Sequence, residues 1–191
     1  MKRICVYCGS SPGFDPGYMA MAQQLGQALV DRQYELVYGG AAVGLMGRVA
    51  DTVMHAGGVV IGVIPKALAH KVSHQGLTQL HVVASMHARK TMMFDLADAC
   101  IALPGGFGTL EEVAEFLTWA QLSLHTKPCG LLNVAGYFDL LLAFLDNAVA
   151  QGFMKQAHRE MLLVATTPEE MLTRLEGYSA PVVEKWVDKI E

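Results

Sequence analysis

Charge is scarce in this chain: only 17% of its 191 residues are Asp, Glu, Lys or Arg, and 14 basic against 18 acidic side chains leave a net charge of −4. A protein that held nucleic acid or an anionic membrane by electrostatics would carry a basic excess, so neither partner is expected. Long hydrophobic runs are missing too. The richest stretch, residues 131–149, is interrupted by Asn133, Gly136, Asp139, Asp146 and Asn147, well short of the ~18–20 apolar residues a membrane helix needs. After Lys2 and Arg3 only residues 4–8 are apolar before Gly9-Ser10-Ser11-Pro12, too few for a secretory core. The expectation is a cytoplasmic protein. Four cysteines, Cys5, Cys8, Cys100 and Cys129, sit in apolar runs, as reduced buried thiols do, and make no disulfide framework. Cys5 and Cys8 match C-x-x-C, but redox pairs of that spacing open a helix and these two fall in a strand-like run. Neither common nucleotide fingerprint is present, no G-x-G-x-x-G after the first strand and no G-x-x-x-x-G-K-[ST], which disfavours a nicotinamide enzyme and a P-loop NTPase. His70 and His74 stand four apart with no third ligand nearby, so no metal site is expected.

What the chain has is apolar residues, 52% of the total. A length of 191 residues suits one domain, 1–191, burying a large core. Short apolar runs at 3–8, 35–38, 59–64, 80–83, 100–103, 130–132 and 162–165 read as seven strands, because strands buried on both faces show continuous rather than alternating hydrophobicity. Between them, residues 16–32, 86–97 and 109–124 carry apolar side chains at helical spacing. Strand and helix alternate, so the fold class expected is α/β: a doubly wound, mainly parallel, Rossmann-like sheet with helices on both faces and its site at the strand C-terminal ends. From Pro181, residues Val182, Val183, Trp186, Val187 and Ile190 fall on one face of a further amphipathic helix.

Three strand ends run into glycine-rich turns: Gly9-Ser10-Ser11; Gly39-Gly40 followed by Gly44-Leu45-Met46-Gly47; and Pro104-Gly105-Gly106-Phe107-Gly108-Thr109. Glycine lets backbone N–H groups approach a ligand, and a helix starting there points its positive end at an anion, so a phosphate is the natural guest. Thr109-Leu110-Glu111-Glu112 also has a purely structural reading, a T-x-x-E capping box in which Glu112 reaches back to the Thr109 N–H. Arg89, always protonated and fork-shaped, reads by itself as a solvated helix residue and is a poor proton donor.

Pro104-Gly105-Gly106-x-Gly108-Thr109-x-x-Glu112 resembles the P-G-G-x-G-T-x-x-E signature of the Lonely Guy family, cytokinin riboside 5′-monophosphate phosphoribohydrolases once widely labelled lysine decarboxylases. Met86-His87-Ala88-Arg89-Lys90 is similar to that family's M-x-x-R-K element. The two upstream glycine turns look like its loops, except that Ala41 stands where many members have a third glycine. The resemblance implies hydrolysis of the N-glycosidic bond of a purine nucleoside 5′-monophosphate, AMP or an N6-modified cytokinin nucleotide, with no cofactor and no metal. It implies Arg89 and Glu112 as catalytic, and Gly9, Ser10, Ser11, Gly39, Gly40, Gly44, Met86, Arg89, Lys90, Gly105, Gly106, Gly108 and Thr109 as substrate-binding residues. Breaking the glycosidic bond builds oxocarbenium-like charge that a carboxylate stabilises. Placed in the first turn of its helix, Glu112 would be held ionised by the positive helix end. His87 is a candidate donor of the proton to the leaving base, solvent being the other. Family members are typically dimers, and Met92, Met93, Phe94, Phe116, Leu117, Trp119 and Leu122 point to an α-helical homodimer interface. A non-catalytic nucleotide carrier on the same fold is the alternative; a pyridoxal phosphate enzyme would need a lysine in a cofactor context, and Lys66, Lys71, Lys90 and Lys127 show none.

Overall fold

The structure, a computed structural model, describes residues 1–181; the amphipathic helix expected beyond Pro181 lies outside the described residues. Seven strands form one sheet: β1 Arg3–Tyr7, β2 Glu35–Tyr38, β3 Val60–Pro65, β4 Gln79–Val83, β5 Ala99–Ala102, β6 Cys129–Leu132 and β7 Leu162–Ala165. Each expected strand is present to within a residue or so at its ends. Their spatial order is β4-β3-β2-β1-β5-β6-β7, and every pairing is parallel. The chain winds outward from β1 to β4, then returns to place β5 on the other side of β1. The β1/β5 boundary is therefore the topological switch point, where ligands of such sheets bind outside the carboxyl ends of the strands.

Helices cover both faces. α1 (Pro16–Asp31), α2 (Gly44–His55) and α8 (Pro168–Glu176) pack on one, their Leu25, Leu29, Val49, Val53 and Leu172 meeting Ile4, Val6, Leu36 and Ile101 of the strands. On the other lie α4 (Met86–Leu96), α5 (Phe107–Gln121) and α6 (Asp139–Ala150), with Met93, Val113 and Phe116 against Cys5, Tyr7, Val37 and Cys100. The short α3 (Lys66–Val72) and α7 (Gln156–Arg159) complete the order. Because successive strand residues face opposite sides, Cys5 and Cys8 enter different core layers, so the C-x-x-C spacing makes no pair. Cys5, Cys100 and Cys129 instead stand in register across three adjacent strands, and burial pushes the thiols of Cys5, Cys8 and Cys100 up. No helix among the described residues is long and apolar enough to cross a membrane.

Candidate active site

The third glycine turn is built by turning its carbonyls inward. Pro104 accepts the Gly9 N–H (2.9 Å) and Gly106 that of Leu110 (3.1 Å), while the Gly105 carbonyl accepts the Tyr137 hydroxyl (2.8 Å). α5 begins at Phe107 with Gly106 as N-cap and no side chain capping it. Its first-turn N–H groups, Gly108 and Thr109 among them, have no intrahelical acceptor, and the helix dipole adds positive potential there. This start, with Gly106 rather than Thr109 as N-cap and so three residues earlier than the capping box predicts, overturns that reading. Thr109 lies inside the first turn, buried, with its side chain where a Cβ on Gly105 would sit. Glu112 is in the second turn, and Oε1 accepts a hydrogen bond from Arg89 Nη1 at 2.7 Å.

Arg89 reaches that carboxylate from α4, whose start is capped by Ser85, its hydroxyl accepting the Ala88 N–H (3.1 Å). The guanidinium is oriented by three features. Nε donates to the Val63 carbonyl (3.1 Å), Nη1 to Glu112, and Nη2 fills the space a Cβ on Gly39 would need. The side chains of Arg89 and Glu112 are only 11% and 9% exposed, so this is a buried ion pair. Burial raises the Glu112 carboxyl above its ordinary value, and the adjacent Arg89 charge and hydrogen bond oppose that rise without cancelling it. The expectation that the helix end holds Glu112 more acidic is thus corrected: in the second turn the dipole is weak, and loss of hydration dominates.

Lys90, the next residue on α4, is largely covered as well and pairs with Glu111 and with Glu115 (3.1 Å); the Glu111 hydrogen bond foremost raises its pKa. Met86 and His87 are exposed at the start of α4. No hydrogen bond or ion pair joins these three to the Arg89–Glu112 pair, although the Lys90 charge is near enough to pull against the rise of the Glu112 carboxyl.

The first two turns divide their labour. Gly9 donates its N–H to Pro104 and accepts that of Leu45 through its carbonyl (3.2 Å), so its N–H is already engaged, while the residue itself lines the cavity described below. It lets β1 and β5 close up, a Cβ there lying 3.2 Å from the Pro104 oxygen. In the second turn the Gly40 carbonyl accepts from His74 (2.9 Å), Ala42 donates to Val72 (2.9 Å), and Ala41 bridges Ser73. That turn is tied to the segment after α3, which explains why alanine is accommodated at 41. Gly44, at φ +57°, starts α2 where any Cβ would overlap the Ser10 backbone. Gly39 thus leaves room for the Arg89 guanidinium, and Gly44 for the close approach of the Ser10 backbone.

Ser10, Ser11, Gly105 and Gly106 line a cavity of about 330 Å³ at the switch point, walled by Tyr18 and Tyr137. Neither tyrosine was legible in the motifs; the only cue to Tyr137 is its place just after a strand end, in Gly136-Tyr137-Phe138. Gly105 and Gly106, at the start of α5, line the cavity, and Glu112 lies further along the same helix. His74 faces the Asp51 carboxylate (3.1 Å) and the Gln75 carbonyl (2.8 Å), and among the described residues no three His, Cys, Asp or Glu side chains gather as a metal site.

A family model described as "Possible lysine decarboxylase" matches residues 46–175. A cytokinin riboside 5′-monophosphate phosphoribohydrolase of Arabidopsis thaliana is 51% identical over 178 residues, 93% of this chain and 82% of that protein. A second from the same plant is 48% identical over 99% of this chain and 88% of its own length. Among solved structures, the molybdenum cofactor binding protein of the bacterium Rippkaea orientalis superposes with a TM-score of 0.69 at 27% identity, over 92% of this chain and 96% of that one. With about half its residues shared over nearly its whole length, this chain belongs to the Lonely Guy family of cytokinin riboside 5′-monophosphate phosphoribohydrolases.

Proposed function

We propose that this protein is a phosphoribohydrolase that cleaves the N-glycosidic bond of cytokinin riboside 5′-monophosphates, releasing the free base and ribose 5-phosphate. The observation that carries this reading is the buried Arg89–Glu112 pair, its carboxylate on the same helix whose uncapped start at Gly106 borders the switch-point cavity. Departure of the base leaves positive charge on the ribose; a carboxylate in a water-poor site stabilises that charge strongly. Burial also makes Glu112 more basic than an exposed carboxylate, which suits it to take a proton from the attacking water. Arg89 holds the carboxylate's position and meets the sugar or phosphate. Ser10, Ser11, Gly105, Gly106, Gly108 and Thr109 bind the phosphate, and Arg89 and Glu112 do the chemistry; water is the only other reactant needed.

AMP is the second substrate of the reading, since it shares the ribose 5-phosphate that the cavity and helix start hold. A panel of nucleoside 5′-monophosphates, nucleosides and triphosphates, assayed for released base by chromatography, tests all of this. Release from N6-prenylated AMP, weaker release from AMP and almost none from nucleosides is expected. Equal cleavage of adenosine and AMP would overturn the phosphate assignment.

The carrier alternative is favoured only by the 27% identity to a cofactor-binding protein. It requires the cavity but no carboxylate against Arg89, and tight nucleotide binding without base release would support it. We further propose a homodimer working in the cytoplasm. The four thiols are reduced and buried, as that compartment allows. Of the residues expected at the interface, Met93 and Phe116 are in the core and Phe94 stacks edge-on against Trp119 (5.1 Å). Apolar side chains left uncovered on and beside these helices include Met86, Leu110 and Leu122 on α4 and at α5, with Leu140 and Phe144 on α6, and these meet the partner.

A further inference from the structure

The loop from β6 to α6 is built with unusual effort for a surface connection. Its single 3₁₀ turn, Val134–Gly136, holds Ala135 at φ +49° and ψ 33°, a left-handed conformation that costs a non-glycine residue free energy. The Asn133 side chain clasps the turn, accepting the Phe138 N–H (2.8 Å) and donating to Asp139 Oδ1 (2.7 Å). The product of this construction is the placement of Tyr137. Its ring stands edge-on to Tyr18 (5.7 Å) and to Phe138 (5.0 Å), and its hydroxyl donates to the Gly105 carbonyl at 2.8 Å.

The bond that hydroxyl holds is the peptide between Gly105 and Gly106. In a trans peptide the carbonyl and the following N–H point in opposite directions, so fixing the Gly105 oxygen on Tyr137 fixes the Gly106 N–H away from it. With no Cβ on either side, this peptide is among the easiest in a chain to flip. A flip would turn a carbonyl dipole toward the uncapped start of α5, where the N–H groups otherwise offer only positive potential to an anion. We infer that Tyr137 is a positioning residue of the phosphate site: its hydroxyl locks the Gly105–Gly106 peptide in the orientation that accepts a phosphate and keeps the carbonyl from opposing it. This rests on the phosphate reading of the cavity given above.

Tyr137→Phe removes the hydroxyl and leaves the ring with its edge contacts. Ribose 5-phosphate binding, measured by calorimetry, should weaken about tenfold in the variant, the loss expected of one well-aligned hydrogen bond. KM for the nucleotide should rise in proportion while kcat stays within about threefold, because the hydroxyl acts on ground and transition states alike. A Tyr137→Phe protein that binds ribose 5-phosphate as tightly as wild type overturns the inference, whatever its melting temperature, since the tyrosine is then only a wall. Wild-type protein that does not bind ribose 5-phosphate overturns it as well. If wild type binds ribose 5-phosphate and the variant binds it tenfold more weakly, yet neither releases base from any nucleotide, the lock stands and the hydrolase reading falls.

Discussion

A carboxylate buried to 9% exposure beside a guanidinium makes its own pH dependence. Because burial lifts the Glu112 carboxyl above 4.5, its contribution to stability is full below the ordinary carboxylate range and is lost as pH rises through the lifted value. Glu112→Gln has no such loss. Its melting temperature relative to wild type should therefore climb as the pH is raised above 4.5, and a flat difference across scanning calorimetry at several pH values would contradict the burial argument. Turnover should fall by ~10²-fold or more in Glu112→Gln and in Arg89→Ala, as when a transition-state charge partner or a positioning group is removed. Arg89→Ala should also melt lower, since it strands a buried carboxylate without its partner, at a cost of roughly 3 kcal/mol. Gly39→Ala separates seating from chemistry. Its added methyl collides with the Arg89 guanidinium, so activity should drop by ~10-fold or more with both reacting groups still present; a Gly39→Ala enzyme with wild-type rates would show that Arg89 is not held there.

At the scale of elements, the start of α5 carries the main lesson. The T-x-x-E spacing is a fair capping signal, yet the helix begins three residues earlier because Phe107, Gly108 and Thr109 take helical geometry after Gly106. That shift moves Glu112 from the first turn to the second and frees it to face Arg89. The β6–α6 loop makes the converse point, since its strain at Ala135 has no local sequence signal. Ala135→Gly should relieve that strain and stabilise the fold by roughly 0.5–1 kcal/mol, after the entropy cost of a glycine, with ribose 5-phosphate affinity unchanged. Urea unfolding measures this, and an Ala135→Gly protein less stable than wild type would mean the conformation is not strained.

At the scale of the molecule, seven parallel strands buried on both faces account for the high apolar content, and the reversal of strand order beside β1 leaves a cavity between the first and third glycine turns. The surface still carries Leu140 at 86% and Phe144 at 64% exposure on α6, a contiguous i, i+4 pair of the kind that marks an interface. A two-fold interface repeats each residue, so Phe144→Glu introduces two charges and should convert a dimer to monomers in light scattering. A wild-type protein that is monomeric and fully active would remove the assembly proposal.

The sequence alone determined the seven strands, their alternation with helices, and the chemical inventory of the site, because hydrophobic period and glycine-rich strand ends are properties of neighbouring residues in the chain. It also sufficed for the family, whose signature lies in two short segments. Tertiary structure alone decided that Arg89 and Glu112, 23 residues apart, share a hydrogen bond, that Lys90 belongs instead to Glu111 and Glu115, and that Gly9 has no N–H to offer a ligand. It likewise brought Tyr137 to a turn 32 residues away and reversed the expected direction of the Glu112 pKa. Each of these depends on which groups lose water and which partners they meet once the sheet is assembled, and desolvation is set by the whole fold rather than by the residues beside a side chain.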